Sequence, residues 1–397
     1  MRSLLYPEWL IDGSGNPPLH NQVVVLEGDR ITAVEPAATV AARPDDTVSH
    51  LPETTLLPGL INNHVHLVLP GDNTPFLPWA DLQSDATLAL WAEHNAQVSL
   101  RAGITTVRDC GGRKAVVINL RDAQRLGVAG GAQVITCGWP ITITGGHTRF
   151  FGGEVDGIDG VTRMVRYAVS LGVDFIKVMG SGGGTPGSLA QFPAFKLEEM
   201  RAIVETAHGL GRKVCVHCIA TDSIRIAVEA GVDLIEHAMF YGPDGLPHYD
   251  ERVAEQLAQA GIPVTPTMQV NRDMIERTTG PEQEGWLRRR EGHQQAVDGL
   301  RRLGVPLLAG SDAGWRATSF DSFWKELDEL ASAGMTPVQA VRAATAAVTA
   351  ALGMADEFGA IKPGQRADLL IAHGDVSTDL SYLQQVHSVY QNGELVV

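Results

Sequence analysis

Between about residues 55 and 315 the chain alternates short apolar runs with amphipathic stretches, and this alternation restricts the fold more than any other feature. The runs are L-L-P-G-L-I-N-N-H-V-H-L, I-T-T-V-R-D-C-G, A-Q-V-I-T-C-G-W-P, D-F-I-K-V-M-G-S, K-V-C-V-H-C-I-A, D-L-I-E-H-A-M-F, I-P-V-T-P-T-M-Q-V and V-P-L-L-A-G-S-D-A-G. Helical patterns such as L-E-E-M-R-A-I-V-E-T-A-H-G-L-G and S-I-R-I-A-V-E-A-G fall between them, each closed by a glycine that suits a helix C-terminus. Eight strand candidates interleaved with helices predict an α/β fold, a (β/α)8 TIM-like barrel.

The flanks have a different pattern. Q-V-V-V-L-E-G-D-R-I-T-A-V near the start reads as two strands joined at Glu27-Gly28-Asp29-Arg30, and H-S-V-Y-Q-N-G-E-L-V-V at the end reads as strands and a turn. The simplest arrangement pairs both ends into one small β-sandwich, residues 1–54 with 359–397, beside a barrel of residues 55–358. At 397 residues a large domain with a smaller companion is the natural division.

A formal charge of −15 argues against a nucleic-acid surface, and no apolar run is long enough to cross a bilayer. The N-terminus lacks the continuous apolar core of a secretory signal, so a cytoplasmic location is the default expectation. Four cysteines in so long a chain make no disulfide framework. Cys215 and Cys218 lie in a strand-like run where their side chains point to opposite faces, so buried thiols suit them better than a metal clamp. The expected partner is a small-molecule substrate, with no nucleic acid and no membrane, and homo-oligomerisation is left open.

Polar residues that are costly to bury recur where these runs end, which is the end at which barrel enzymes build their sites. In I-N-N-H-V-H-L, His64 and His66 are two apart and share one face of a strand. Lys177 lies on the fourth run, His217 on the fifth, His237 on the sixth and Asp312 on the eighth. Singly, each reads as a hydrogen-bonded or ion-paired core residue. As a set at equivalent positions they do not, because burial without partners costs roughly 2–7 kcal/mol per polar group. Imidazoles and a carboxylate suit zinc or a similar divalent ion. The lysine is the odd member, but its amine can react with carbon dioxide to give a carbamate, an anionic ligand able to bridge two metals.

With these residues stand G-I-T-T-V-R-D at 103–109, T-G-G-H at 144–147, F-I-K-V-M at 175–179, G-S-D-A-G at 310–314 and G-A-I-K-P-G-Q-R-A-D-L at 359–369. The ordered set resembles the amidohydrolase superfamily of metal-dependent hydrolases, in particular its imidazolonepropionase-like and Xaa-Pro dipeptidase (prolidase)-like branch. The resemblance covers essentially the whole chain. It implies two divalent ions, zinc first with manganese, cobalt or iron as alternatives. His64, His66 and Asp312 would bind one and His217 and His237 the other, with a CO2-derived carbamate on Lys177 bridging them. A metal-bridging hydroxide would attack a carbonyl, with Asp312 as proton shuttle.

Other residues follow from the same resemblance. His147 matches a histidine that faces substrate and can donate to the oxyanion, against the plainer reading of a loop histidine. Tyr241 resembles a tyrosine that holds a substrate carboxylate, against that of a lid aromatic. Arg108 and Asp109 read as contacts behind the site or between strands. The glycines of residues 179–188 lack both nucleotide-binding spacings and read as a loop over the barrel mouth. Several dipeptidase-like relatives have a further histidine where this chain has Ile219, which loosens the link to one substrate. The expected reaction is hydrolysis of an amide C–N bond in a dipeptide, N-acyl amino acid, urea or carbamate-type compound. The rivals are a lactonase or esterase, a cyclic-amide hydrolase, and a non-catalytic binding barrel.

Overall fold

The computed structural model describes residues 2–397, Pro78 through its backbone alone. The chain opens with β1 (Arg2–Leu10), β2 (Gln22–Glu27), β3 (Arg30–Pro36) and β4 (Thr47–Pro58). β2 and β3 form the hairpin expected at Glu27–Arg30, with Glu27 opposite Arg30 and Gly28 at φ +61°, a conformation that costs glycine little. The period of two is visible in the packing. Val24 and Leu26 join Leu5, Leu56 and Leu369 in one apolar cluster, while Val23 and Val25 meet Leu4 on the opposite face.

The middle of the chain supplies β5 (Leu60–Val65), β6 (Ile104–Asp109), β7 (Gln133–Thr136), β8 (Ile176–Met179), β9 (Val214–Ala220), β10 (Leu234–Tyr241) and β11 (Val264–Thr265). All neighbours among them are parallel, in two arcs ordered β5-β6-β7 and β11-β10-β9-β8. Helices separate consecutive strands, among them Leu197–Gly209 and Thr221–Ala230 at the two sequence patterns singled out above. Gly231 ends the second at φ +78°.

The eighth run is not a ladder strand. Residues 305–314, interrupted by Pro306 and Gly310, connect through isolated parallel bridges, Val264 with Leu307 on one side and Val65 with Ala313 on the other. Its backbone still bonds both neighbours: Leu308 N–H donates to Val264 at 2.9 Å, and Asp312 N–H donates to His64 at 2.8 Å. The arcs' other seam is an isolated bridge between Ile141 and Val178.

The C-terminal strands β12 (Leu369–His373), β13 (Val386–Gln391) and β14 (Glu394–Leu395) return to the N-terminal ones. Together they form one seven-stranded sheet in the order β14-β13-β12-β4-β1-β2-β3. That pairing describes a single sheet, and it does not define the second layer that a sandwich requires. No helix among the described residues is long and apolar enough to cross a membrane.

β4 and β12 tie the two parts together. Leu56 and Ile371 face the sheet's own cluster, whereas Leu57 and Leu370 belong to the large core under the helices. Leu370 sits over Gly103, where a Cβ would lie 2.7 Å from its methyls. Leu370→Ala should therefore lower stability by about 2–5 kcal/mol, read as a fall in the urea midpoint. An unchanged midpoint would show that this contact does not couple the sheet to the core.

Candidate metal centre

Six residues predicted as ligands, His64, His66, Lys177, His217, His237 and Asp312, are all buried, at 1–7% exposure. The five other than Lys177 line one pocket, together with His147 and Tyr241. The Asp312 carboxylate lies 3.4 Å from His64 Nε2 and 3.3 Å from His66 Nε2. His64, His237 and Asp312 bring ligand atoms within 4.8 Å of one another, a grouping that cuts across the two sets expected from the sequence. His237 also packs on His217, with ring centroids 4.4 Å apart.

Each imidazole has one nitrogen tied to a partner, and the partner sets the tautomer. His64 Nδ1 donates to Glu236 Oε2 at 2.9 Å, and His66 Nδ1 donates to the Gly111 carbonyl at 2.8 Å. His237 Nδ1 lies 2.7 Å from Thr267 Oγ1, whose own proton goes to the Pro266 carbonyl, so here too Nδ1–H is the donor. In the neutral form of these three rings Nε2 is left with its lone pair. His217 is reversed, Nε2 donating to the Gly182 carbonyl at 3.1 Å, so Nδ1 has the lone pair.

His147 differs from all four. Its Nδ1 lies 2.8 Å from Thr185 Oγ1, which accepts the Thr148 N–H and has no other acceptor for its own proton. The hydroxyl therefore donates to Nδ1, and the ring's proton sits on Nε2. Gly183 fits tightly against this ring, since a Cβ there would be 2.6 Å from Nε2.

Electrostatics keep most of these rings neutral, as ligation requires. Burial, reinforced by Lys177, pushes His217 down to about 3 and lowers His64. Burial and the neighbouring His217 hold His147 and His237 well below the ordinary histidine value. His66 goes the other way: burial opposes its charge, but Asp312, Asp109 and the Gly111 carbonyl together outweigh it. Asp312 remains ionised: burial opposes its charge, but His64 and His66 more than compensate.

Among the six predicted ligands, Lys177 Nζ and Asp312 Oδ1 have no hydrogen-bond partner among the described residues. Burial also works against the Lys177 ammonium, yet Cys215, Cys110 and Glu236 outweigh it and hold the proton on.

Glu236 is a residue that sequence reasoning missed. Its Oε1 accepts from Arg108 Nη1 at 2.8 Å and from the Cys215 thiol at 2.8 Å, while Oε2 takes His64. An alternating strand would turn Glu236 away from His237, but β10 departs from regular geometry there. His237, Ala238 and Phe240 have φ of +70°, +49° and +53°, and the register shifts between His237 and Tyr241. The only sequence signal was an acid next to a site histidine in I-E-H. Arg108 and Asp109 do lie behind the site as expected: Arg108 stacks on Phe175, and Asp109 accepts from the backbone of Leu67 and Gly111. All four cysteines are free and buried, and Cys215 and Cys218 face different clusters. Also unforeseen are Trp286, Arg289, Trp315 and Arg316, which wall the pocket with Tyr241.

Glu236→Gln would leave the buried Arg108 guanidinium without its carboxylate partner. It should cost about 3–5 kcal/mol in urea denaturation, and Arg108→Met in the same chain should restore part of that loss. Additive effects of the two substitutions would show that the pair is not coupled.

The model of the Amidohydrolase family matches residues 55–396. Ochratoxinase of Aspergillus niger is 27% identical over 99% of this chain and 86% of its own length. Imidazolonepropionase of Rhizorhabdus wittichii is 25% identical over 93% of this chain and 92% of its own. The crystal structure of a Xaa-Pro dipeptidase with methionine bound in its active site superposes with a TM-score of 0.90 at 26% identity, covering 100% of both chains.

Proposed function

Because the chain belongs to the amidohydrolase family, we propose that it is a binuclear metal-dependent hydrolase cleaving an amide C–N bond in a small molecule. The substrate classes are a dipeptide, an N-acyl amino acid, or a urea or carbamate-type compound. This reading takes the two arcs and the eighth run as a (β/α)8 barrel, and the seven-stranded sheet as the small sandwich beside it.

The observation that carries the reading is the division among the histidines. In their neutral forms four rings turn a lone pair away from their hydrogen-bond partners, and one, His147, instead retains an N–H on the corresponding nitrogen. The unpartnered Lys177 ammonium and Asp312 oxygen fit the same account, since burial does not tolerate charged atoms without partners. We assign His64, His66 and Asp312 as the residues that would hold one ion and His217 and His237 as those that would hold the other, with carboxylated Lys177 available to both. Nitrogen and oxygen donors make zinc the first candidate. Bound divalent ions lower the pKa of water and polarise a carbonyl.

The chain's own groups do the rest. Asp312 accepts the proton of the attacking water and returns it to the leaving nitrogen. His147 donates from Nε2 to the carbonyl oxygen as that oxygen gains charge. Thr185 keeps that proton on Nε2, and Glu236 holds the His64 ring in place through Nδ1. Tyr241 presents its hydroxyl to the substrate from the end of β10.

Elemental analysis should find between one and two divalent ions per chain, with hydrolysis lost on chelation and restored by metal. Activity that survives in metal-free protein would sink the proposal. Asp312→Asn should lower kcat by roughly 10²–10⁴-fold without unfolding the chain, whereas full turnover would remove it as the shuttle. Carboxylation needs a neutral Lys177 amine, so a carbamate carbon signal in 13CO2-labelled protein should appear with metal and vanish on chelation. A signal that persists in Lys177→Met would overturn that assignment.

A further inference from the structure

One wall of the pocket is built by the helix Gly280–Arg302 and by the segment just after Asp312. Each contributes an arginine. Trp286 and Arg289 are three apart and share a helix face, with the Arg289 guanidinium 4.7 Å from the indole centroid. Arg316 approaches the same indole at 5.3 Å. Neither guanidinium makes a hydrogen bond or an ion pair to any described residue, although the chain has 46 acidic residues against 31 basic ones.

Their placement is held, not incidental. Arg316 has φ +53°, a region that non-glycine residues rarely adopt, and its Nη2 would lie 3.4 Å from a Cβ at Gly184 in the loop over the mouth. Burial and the adjacent Arg289 charge keep Arg316 below the ordinary arginine value despite Glu282 and Asp312 nearby. Two like charges held close together against one indole, with their donors unused, are stabilised by an anion from outside. A guanidinium fork matches the planar geometry of a carboxylate. Arg289 also lies close enough to Tyr241 to act on its hydroxyl, so the Tyr241 O–H and both forks border one region of the pocket.

We propose that Arg289 and Arg316, stacked on Trp286, form a clamp for a carboxylate carried by the substrate, selecting N-acyl amino acids and dipeptides with a free α-carboxylate over neutral ureas, carbamates and lactones. The inference rests on the hydrolase reading above and narrows it. Arg316, half-buried, is the stronger member, and Arg289, exposed at the rim, adds less because solvent screens it.

The test separates binding from turnover. The purified protein is titrated calorimetrically with 3-phenylpropionate and with 3-phenylpropan-1-ol, which share an aromatic body and contain no scissile bond. The acid should bind about tenfold or more tightly than the alcohol. Arg316→Met should remove most of that preference and Arg289→Met a few-fold of it, with unchanged melting curves, and Arg316→Lys should restore only part. For an N-acyl amino acid that the metal-loaded enzyme hydrolyses, the same Met substitutions should raise KM while leaving kcat within about twofold. Equal binding of acid and alcohol, no saturable binding of the acid, or an undiminished preference in both Met variants overturns the clamp. An intact preference in a protein that hydrolyses no amide, ester or carbamate would instead overturn the hydrolase reading and leave the clamp standing.

Discussion

The interior depends on a single carboxylate, that of Glu236. Burial would drive its proton on, but Lys177, His64 and Arg108 hold it well below the ordinary glutamate value. One oxygen serves Arg108 and Cys215 while the other grips His64, so β10 is linked to β6, β9 and β5 through one group. Without it, the buried Arg108 guanidinium would lose its carboxylate partner while the Lys177 charge still acted on it. The orientation of His64 is thus set by the same contact that balances the interior charge. This is how a site with so many buried polar groups is compatible with a stable fold.

Regular backbone geometry fails at the same place. His237, Thr267 and Asp312 all have positive φ, at +70°, +59° and +60°. Such conformations cost of order 1–3 kcal/mol each and persist only where the surroundings over-determine them. The surroundings do so here: His293 Nε2 donates to the His237 carbonyl at 3.0 Å, and Asp312 N–H is fixed on the His64 carbonyl at 2.8 Å. The distortion at His237 turns Glu236 and His237, adjacent in sequence, toward one site. A regular strand would have placed them on opposite faces.

That distortion also explains what the sequence could and could not convey. Seven of the eight runs read as strands were visible because their apolar residues are buried on both faces, and His64, His66, Lys177, His217 and His237 fall on or just beyond them. The eighth run pairs only through isolated bridges, because Pro306 and Gly310 interrupt its ladder while its apolar pattern still resembles a strand. Glu236 escaped because a period-two argument assigns it to the wrong side. The rim residues Trp286, Arg289 and Arg316 escaped for another reason: they lie on a long helix and a loop whose patterns carry no sign of what they face. Thr185 and Thr267 were illegible too, since a threonine's value here lies in where its single proton goes.

Those two threonines have the larger consequence. His147 and His237 are both buried and both held at Nδ1 by a threonine hydroxyl, yet they end up with opposite tautomers. Thr267 has a carbonyl for its proton and so receives one from His237, whereas Thr185 accepts a backbone N–H and so gives its own to His147. One residue type thereby supplies a lone pair at one point of the pocket and a proton at another, with no change in burial or charge. The difference resides in the backbone of the two loops, which decides what each hydroxyl can reach. The protonation of the rings that act on substrate is in this reading set by threonines that never touch it, while discrimination among substrates falls to the arginine-lined rim. The rim residues make no bond to the Glu236 network, so the choice of substrate can change without disturbing the charge balance on which the fold depends.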